Sequence, residues 1–328
     1  MMVQRLSISA LTGTIILAGA VFSLATGGRA DVGAAEIWQA LTGPGQGVAL
    51  TILQDIRLPR SLAAGLLGMT LGVSGLILQA ITLNPLASPA ILGINQGAAV
   101  GMIGALIWPG LLAPEWLSIA AALVAGFVTF AISGGLAGRI DPMRLVLGGV
   151  AVGTFAYAAV RFTFTLDDVL AQQVLRWTVG DIADLRWSAV VRLAAIGLPA
   201  LALSFALAHR LNLMALGPVG SQSLGHDPRL TLILGLILAA VLCGVSVSVA
   251  GPIAFIGLIA PHIARRLIGG DHRGLMPTTA LCGAGVMLLA DGFSKWLLAP
   301  LEAPVGVISA LIGAPWFLWL TLRAKELH

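Results

Sequence analysis

The feature that most constrains this chain is a series of long apolar runs that contain few charges. A helix needs about 20 mostly apolar residues to cross the hydrocarbon core of a bilayer. Ten runs fit this pattern within a few residues: Leu6–Ala25, Ser61–Ile81, Ile91–Trp108, Trp116–Leu136, Leu145–Phe164, Ser188–Ala208, Leu230–Ala250, Ile253–Ile268, Leu275–Leu298 and Val305–Leu322. The connections are mostly too short for separate domains. The sequence therefore predicts an all-α, polytopic membrane protein with ten transmembrane helices and a single transmembrane domain over residues 1–328.

Composition supports this class. Hydrophobic residues make up 58% of the chain and charged residues only 10%, whereas soluble domains carry about 25% charged residues. The net charge of +4 does not indicate a nucleic-acid partner, because the basic residues form no stripe. Cys243 and Cys282 lie inside apolar runs, which predicts small buried side chains rather than a disulfide or a metal site.

The N-terminal segment, Arg5 followed by Leu6–Ala25, is compatible with a signal peptide or with a first helix. The run is long for a signal peptide and no clean A-x-A cleavage site follows it, so we expect a retained helix. An even number of spans with a cytoplasmic start then predicts that both termini are cytoplasmic.

Basic residues are unusually frequent on the face that this topology places outside. Short outer loops normally contain few Lys and Arg, and an outer surface with many cations indicates that an anion or an acidic protein docks there. The alternative is that some of these cations reach lipid headgroups or pair with nearby aspartates. Eight of the eighteen basic residues fall there: Arg29, Arg57, Arg60, Arg161, Arg176, Arg186, Arg192 and Lys295.

Two of these cations stand in the stretch "QDIRLPRSLAAGLLG". Pro59 lies between Arg57 and Arg60, and we expect it to hold the chain out of a regular helix so that both arginines project from the mouth of the span. In "MLLADGFSK", Asp291 precedes Lys295 by one helical turn, which predicts an ion pair. One such pair is thin support for an ion-coupled secondary carrier, which stays as an alternative of another class.

The chain lacks a phosphate-binding loop, because its only lysines are Lys295 and Lys325 and neither follows a glycine-rich segment. The chain is therefore not expected to hydrolyse ATP itself. The segment "GVSG" has the G-x-S-G form of intramembrane serine proteases, with Ser74 as the nucleophile. With 41 glycines in the chain, a chance match is favoured. Glycines spaced four apart, as in Gly68-x-x-x-Gly72 and Gly149-x-x-x-Gly153, predict close helix packing instead.

Two connections have an unusual composition. "LNPLASPAILG", Leu83–Gly93, contains two prolines and an asparagine and predicts an extended, kinked link beside a watery cavity, with a plain tight turn as the alternative. "LNLMALGPVGSQSLGHDPRL", Leu211–Leu230, predicts a short helix near Pro218–Leu224 that ends at Gly225. Such a helix needs a partner surface, unless it lies on the membrane.

Five segments together carry a resemblance to a known family: "RLPRSLAAGLLGMTLGVSGLILQ", "NPLASPAILGINQGAAVG", "LNLMALGPVGSQSLG", "GPIAFIGLIAPHIARRLIGGDHR" and "APVGVISALIGAPWFLWL". From about Arg57 to Leu320 the chain resembles the FecCD-type (type II) permease subunits of bacterial ABC importers for iron chelates, haem and cobalamin. The segments "NPLASPAILG" and "LRWTVGDIADLRW" are most similar to the ferric-siderophore and ferric-citrate branch of the family. Cobalamin and haem are the alternative substrates.

The resemblance implies a transport subunit with no chemistry and no cofactor of its own. It implies a second permease subunit, either a copy or a homologue, in the lipid bilayer of the bacterial cytoplasmic (inner) membrane. Two ATPase subunits, which bind ATP and Mg, are implied beneath the pair, and a periplasmic substrate-binding protein is implied above it.

Residue roles also follow from the resemblance. It assigns Arg57, Arg60 and Lys295 to docking of the binding protein. It assigns Asn84, Pro85 and Leu86 to a cytoplasmic gate, with a second narrowing at Pro142 and Met143 in the turn Pro142–Arg144. The ATPase coupling helix corresponds to Ala215, Leu216, Gly217, Pro218, Ser221, Ser223, Leu224 and Gly225. The chain departs from the family at Leu83, where a basic residue is common.

Overall fold

The computed structural model describes residues 2–26, 48–135, 140–165, 168–299 and 301–324, which are helical and contain no strand. The helices are α1 (Met2–Ala25), α2 (Val48–Ile52), α3 (Leu58–Thr82), α4 (Ile94–Ile107), α5 (Pro114–Ile132), α6 (Pro142–Phe162), α7 (Asp168–Thr178), α8 (Trp187–Met214), α9 (Gly217–Ser223), α10 (Pro228–Ala250), α11 (Ile256–Ile268), α12 (His272–Trp296) and α13 (Val305–Ala324).

Each of the ten predicted runs coincides with a helix, which confirms an all-α, polytopic membrane fold. Within the described residues, six helical segments are long and apolar enough to cross a bilayer: Leu50–Thr82, Pro114–Ile132, Pro142–Thr165, Trp187–Met214, Pro228–Ala250 and His272–Trp296. The apolar parts of α1, α4 and α13 are shorter, and α11 has 13 residues. The number of ten spans therefore stays a prediction.

The chain is helical through the arginine-rich stretch, which corrects one expectation. The segment Leu53–Arg57 forms a π-helical turn, and α3 continues from it without a break at Pro59. Proline is tolerated here because it stands in the first turn of α3, where backbone N–H groups have no partner within the helix. The proline therefore does not hold Arg57 and Arg60 outside a helix.

Glycines let α3 approach its neighbours closely, as the spacing predicted. A methyl group added at Gly68 would lie 2.1 Å from the carbonyl oxygen of Gly283 in α12, and one added at Gly75 would lie 2.0 Å from that of Gly257 in α11. Backbone contact of this kind is available only where both surfaces lack a side chain. These contacts place α3 at the centre of the bundle, against α11 and α12.

Ser74 and Cys243 form hydrogen bonds that link neighbouring helices within the bundle. The Ser74 hydroxyl donates to the carbonyl oxygen of Ala239 at 2.7 Å and is fully buried. Cys243 and Cys282 are buried and free, as predicted, and the Cys243 thiol also donates to Asn95 Oδ1 at 2.8 Å. Ser74 therefore joins α3 to α10.

The segment after α6 contains one short helix, α7. Helix α7 folds into the bundle, where Val174 is fully buried and the carbonyl of Trp177 lies against Gly251. Trp187 begins α8, and its indole donates to the carbonyl oxygen of Gln54 at 3.0 Å.

Candidate functional site

Three helix ends meet at one end of the bundle, which we call the outer end because the predicted topology places it outside. They are the end of α1, the start of α3 and the end of α12. Helix α3 supplies Arg60 and Ser61, α12 supplies Asp291 and Lys295, and α1 supplies Ser23. All five side chains are buried.

Asp291 is the centre of the outer end. Its Oδ1 atom accepts from Arg60 Nε at 2.7 Å, and its Oδ2 atom accepts from Lys295 Nζ at 2.6 Å and from Ser23 Oγ at 2.6 Å. Lys295 Nζ also donates to the carbonyl oxygen of Ser23 at 2.8 Å. A buried carboxylate is stable only when paired and hydrogen-bonded, and these contacts join three helices through one side chain. The predicted ion pair of Asp291 and Lys295 is confirmed.

Arg60 makes two further contacts with its guanidinium. Its Nη1 atom donates to Glu302, which lies in the link between α12 and α13, and its Nη2 atom donates to Ser294 Oγ at 3.2 Å. The link is held to α12, because the Ala303 N–H donates to the carbonyl oxygen of Ser294 at 2.9 Å. Arg57 Nη1 donates to the carbonyl oxygen of Leu24 at 2.9 Å.

The structure corrects the expectation that the docking residues project from the mouth of the span. Arg57, Arg60 and Lys295 are only 5%, 3% and 3% exposed, because each bends toward a carboxylate or a carbonyl of a neighbouring helix. Their assignment to binding-protein docking stays a prediction. Sequence reasoning missed Ser23 and Glu302, which lie 268 residues from Asp291 and 242 residues from Arg60.

The predicted gate Asn84–Leu86 is a folded turn, which corrects the expectation of an extended link. Leu83 is left-handed with φ 51°, and the Leu86 N–H donates to Asn84 Oδ1 at 2.9 Å. Hydrogen-bonded turns continue to Gly93. Asparagine is common in turns because its side chain can accept a hydrogen bond from the backbone two residues later. Pro85 and Leu86 are exposed at its tip.

The second predicted narrowing, Pro142 and Met143, is the first turn of α6. Asp141 caps this helix by accepting from the Met143 and Arg144 N–H groups at 2.9 and 3.1 Å, as N-cap aspartates do. Met143 is 69% exposed. Helix α6 packs against the far end of the Leu83–Gly93 link, because Gly149 leaves room for the carbonyl of Ile91.

A small apolar cavity lies beside the tip of the first turn. Helices α11 and α13 supply most of its walls, and the T-shaped contact of His262 with Trp316, at a ring separation of 6.3 Å, forms one side. The lining residues are Pro85, Leu86, Phe255, Leu258, Ile259, His262, Trp316 and Phe317. The predicted gate therefore borders an apolar space.

The predicted coupling segment is a short helix between two left-handed glycines. Helix α9 runs from Gly217 to Ser223, with φ +78° at Gly217 and φ +71° at Gly225, so glycine is required at both ends. Leu216 and Leu224 flank the helix and are 57% and 62% exposed. Ala215 and Ser223 are also exposed, whereas Ser221 is buried. The side chain of Pro218 lies outside the described part of the chain.

Asn212 lies near the end of α8, just before the coupling segment, and joins α8 to the start of α12. Its Nδ2 atom donates to Asp271 Oδ1 at 2.7 Å, and its Oδ1 atom accepts from the His272 N–H at 2.9 Å. Hydrogen bonds from the Arg273 N–H and from Asn212 lower the pKa of Asp271 below its ordinary value. Asn212 was missed because its partners lie about 60 residues away.

His226 follows the coupling helix and is buried. Burial, and then the positive charge of Arg210, lower its pKa below the ordinary value. The ring lies 3.0 Å from the hydroxyl of Thr231, and the His226 N–H donates to the carbonyl oxygen of Ser221 at 3.1 Å. His226 therefore contacts the end of α9 through its backbone and the start of α10 through its ring.

Comparison with known proteins settles the family. The model of the FecCD transport family matches residues 14–323. The chain belongs to the FecCD transport family. A chain of this family is a subunit of a transport system, which agrees with the predicted resemblance.

Named relatives of the chain are iron and haem permeases. It is 41% identical over 184 residues to the hemin transport system permease protein HmuU of Yersinia pestis, covering 56% of this chain and 55% of that one. It is 34% identical to the iron(3+)-hydroxamate import system permease protein FhuB of Bacillus subtilis, over 95% of this chain and 82% of that one. It is 38% identical to the Fe(3+) dicitrate transport system permease protein FecC of Escherichia coli, over 83% of each.

A solved structure has the same fold. An inward-facing metal-chelate type ABC transporter superposes with a TM-score of 0.77 at 29% identity, covering 95% of this chain and 97% of that one. PsaBC from Streptococcus pneumoniae superposes with a TM-score of 0.59 at 15% identity. The metal-chelate type ABC transporter therefore has the helical fold described above.

Proposed function

We propose that this chain is the permease subunit of a bacterial ABC importer for iron chelates. The observation that carries the proposal is the match to the FecCD transport family over residues 14–323. It is supported by relatives that are permeases for ferric hydroxamate, ferric dicitrate and hemin. The chain supplies the route through the membrane and performs no covalent step.

The assembly that we propose has two permease subunits and two ATPase subunits in the cytoplasmic (inner) membrane, with both permease termini in the cytoplasm. ATP and Mg are bound by the ATPases and not by this chain. The coupling segment supports this arrangement, since Leu216 and Leu224 are exposed at the two ends of α9. A partner that covers exposed leucines beside a short helix removes apolar surface from water, which stabilises the complex.

Transport in this proposal depends on movement of the turns at the inner end, where α3 ends and α9 begins. ATP binding and hydrolysis shift α9, and the shift opens or closes the pathway past Asn84–Leu86 and the Pro142–Met143 turn. The contact of Ile91 with Gly149 supports joint movement, because it ties the first turn to α6.

Docking of the periplasmic binding protein is proposed at the outer end. Arg60 and Lys295 pair with two carboxylates of this chain, Asp291 and Glu302, whereas Arg57 donates to the carbonyl oxygen of Leu24. The three cations and two carboxylates together carry one net positive charge. Charge of this sign attracts and orients an acidic partner.

For the cargo we propose a ferric siderophore or ferric citrate, consistent with the hydroxamate and dicitrate relatives. Haem is the second candidate, because the hemin permease shows 41% identity to part of the chain. Ferric hydroxamate, ferric citrate and hemin therefore form the set to test.

The test is uptake into proteoliposomes that contain the permease with its co-purified ATPase and a binding protein. We expect ATP-dependent uptake of one of the three chelates, and no uptake when the ATPase carries an inactivating substitution in its phosphate-binding lysine. Uptake driven by an ion gradient in vesicles that contain this chain alone would contradict the proposal and favour a secondary carrier.

A further inference from the structure

We propose that Glu302 occupies, in the undocked permease, the position on Arg60 that a carboxylate of the binding protein takes on docking. Docking would then be an exchange of one carboxylate for another on the same guanidinium. This inference rests on the proposed function and concerns how the outer end is regulated.

The geometry of Arg60 separates a fixed carboxylate from an exchangeable one. Asp291, on Nε, is fully buried and also holds Lys295 and Ser23. Removing it would leave buried cations without a counterion. Glu302, on Nη1, has a side chain that is 34% exposed, so it can turn into water at little cost.

The position of Glu302 in the chain also suits exchange. It lies in the link between α12 and α13, next to Leu301, which is 73% exposed. The backbone on its other side is fixed, because the Ala303 N–H donates to Ser294 and the Gly306 N–H donates to Gly180 at 2.8 Å. The side chain can therefore leave Arg60 without unfolding the link.

Charge explains why exchange favours an acidic partner. With Glu302 in place, the three cations and two carboxylates of the outer end carry one net positive charge, and without Glu302 the remaining four groups carry two. Arginine binds carboxylates through a planar fork of N–H donors. Nη1 therefore offers an incoming carboxylate a hydrogen-bond donor that is already oriented. Glu302 thereby keeps Arg60 paired before docking and competes with the partner during it.

The experiment measures the affinity of the reconstituted complex, in nanodiscs, for the binding protein that stimulates its ATP hydrolysis. Wild type is compared with Glu302→Gln and with Asp184→Asn, which removes a carboxylate from an exposed position before α8. The salt concentration is set near 0.15 M, where charges farther apart than about 8 Å are largely screened. We expect Glu302→Gln to bind about two- to fivefold more tightly, the range for a partly exposed ion pair, and Asp184→Asn to bind like wild type.

Three outcomes overturn the inference. They are unchanged or weaker binding in Glu302→Gln, or an equal gain in both variants, which would indicate a general effect of net charge. Failure of the proposed function is a separate result, since the wild-type complex would then neither bind a binding protein nor take up any of the three chelates.

A second readout follows the link itself. A nitroxide on Leu301→Cys reports its local mobility in the wild-type background. Addition of the binding protein is expected to change the spectrum when Glu302 leaves Arg60, and the same label beside Glu302→Gln is expected to start closer to the docked spectrum. Identical spectra in all three states would contradict the exchange.

Discussion

The outer end and the coupling segment, the two regions that we propose contact partner proteins, are built in opposite ways. At the outer end, Arg60 and Lys295 are buried and paired with carboxylates of this chain. At the coupling segment, the seven residues of α9 lie between two exposed leucines. One region has its charges satisfied internally, whereas the other exposes apolar surface.

The difference indicates two modes of association. A partner at the coupling segment gains free energy by covering Leu216 and Leu224, and little has to be broken first. A partner at the outer end must compete with bonds that already exist, so its net gain is small although its contacts are charged. Such a design favours a permanent complex at the inner end and a reversible one at the outer end.

Breaking the outer network should have the largest effect. Asp291→Asn leaves Arg60 and Lys295 buried beside a neutral side chain, and loss of one partner of a buried ion pair costs about 3–5 kcal/mol. We expect a lower midpoint of thermal unfolding in detergent. Asp184→Asn, the same change at an exposed position, is the control and should leave the midpoint in place. Equal midpoints for wild type and Asp291→Asn would show that the network adds no stability.

Removing the exposed leucines should have a smaller effect, and one confined to assembly. Leu216→Ser with Leu224→Ser removes apolar surface of which more than half is exposed. The loss of burial corresponds to roughly 1.5–3 kcal/mol in all, or about 10- to 100-fold in affinity for the ATPase. Titration of the purified ATPase against the permease in nanodiscs measures it.

The matched control for that pair is Leu111→Ser with Leu112→Ser, which are 64% and 55% exposed in the link between α4 and α5. This control should bind the ATPase like wild type. An equal loss of affinity in both double variants would mean that α9 is not the contact.

Acidification should weaken the coupling segment by the smallest amount. Burial lowers the pKa of His226, so the unfolded segment takes up a proton before the folded one does. The stabilising effect of His226 is complete above about pH 6.5 and is lost as the pH falls through its lowered pKa. Amide hydrogen exchange over residues 215–227, corrected for intrinsic rates, should show less protection near pH 5.5 than near pH 7.5. His226→Gln should remove this pH dependence, and persistence of the dependence in that variant would assign it to another group.

In both the outer end and the coupling segment, the sequence predicted the features that are local to one helix. The apolar runs predicted the helices, and the spacing of Asp291 and Lys295 predicted their ion pair. The short helix α9 was predicted from Pro218 and Gly225 for the same reason.

Contacts between distant segments were not predictable in this way. Glu302 and Arg60 are 242 residues apart, and no local pattern indicates that the link after α12 folds back over the start of α3. The expectation that Arg57 and Arg60 project from the bundle failed because it treated Pro59 alone and ignored the carbonyls and carboxylates that surround both arginines.

The central claim is that Arg57, Arg60 and Lys295, the cations predicted to dock the binding protein, are held inside the outer end by groups of this chain. Arginine-specific dicarbonyl labelling of the native permease in nanodiscs, followed by mass spectrometry, tests it most directly. Arg186, which is exposed, and Arg192, whose side chain is 52% exposed, serve as internal references. We expect Arg57 and Arg60 to react much more slowly than these references, and Arg60 to react faster in Glu302→Gln. Labelling of Arg60 in the wild-type protein as fast as that of Arg186 would contradict the account.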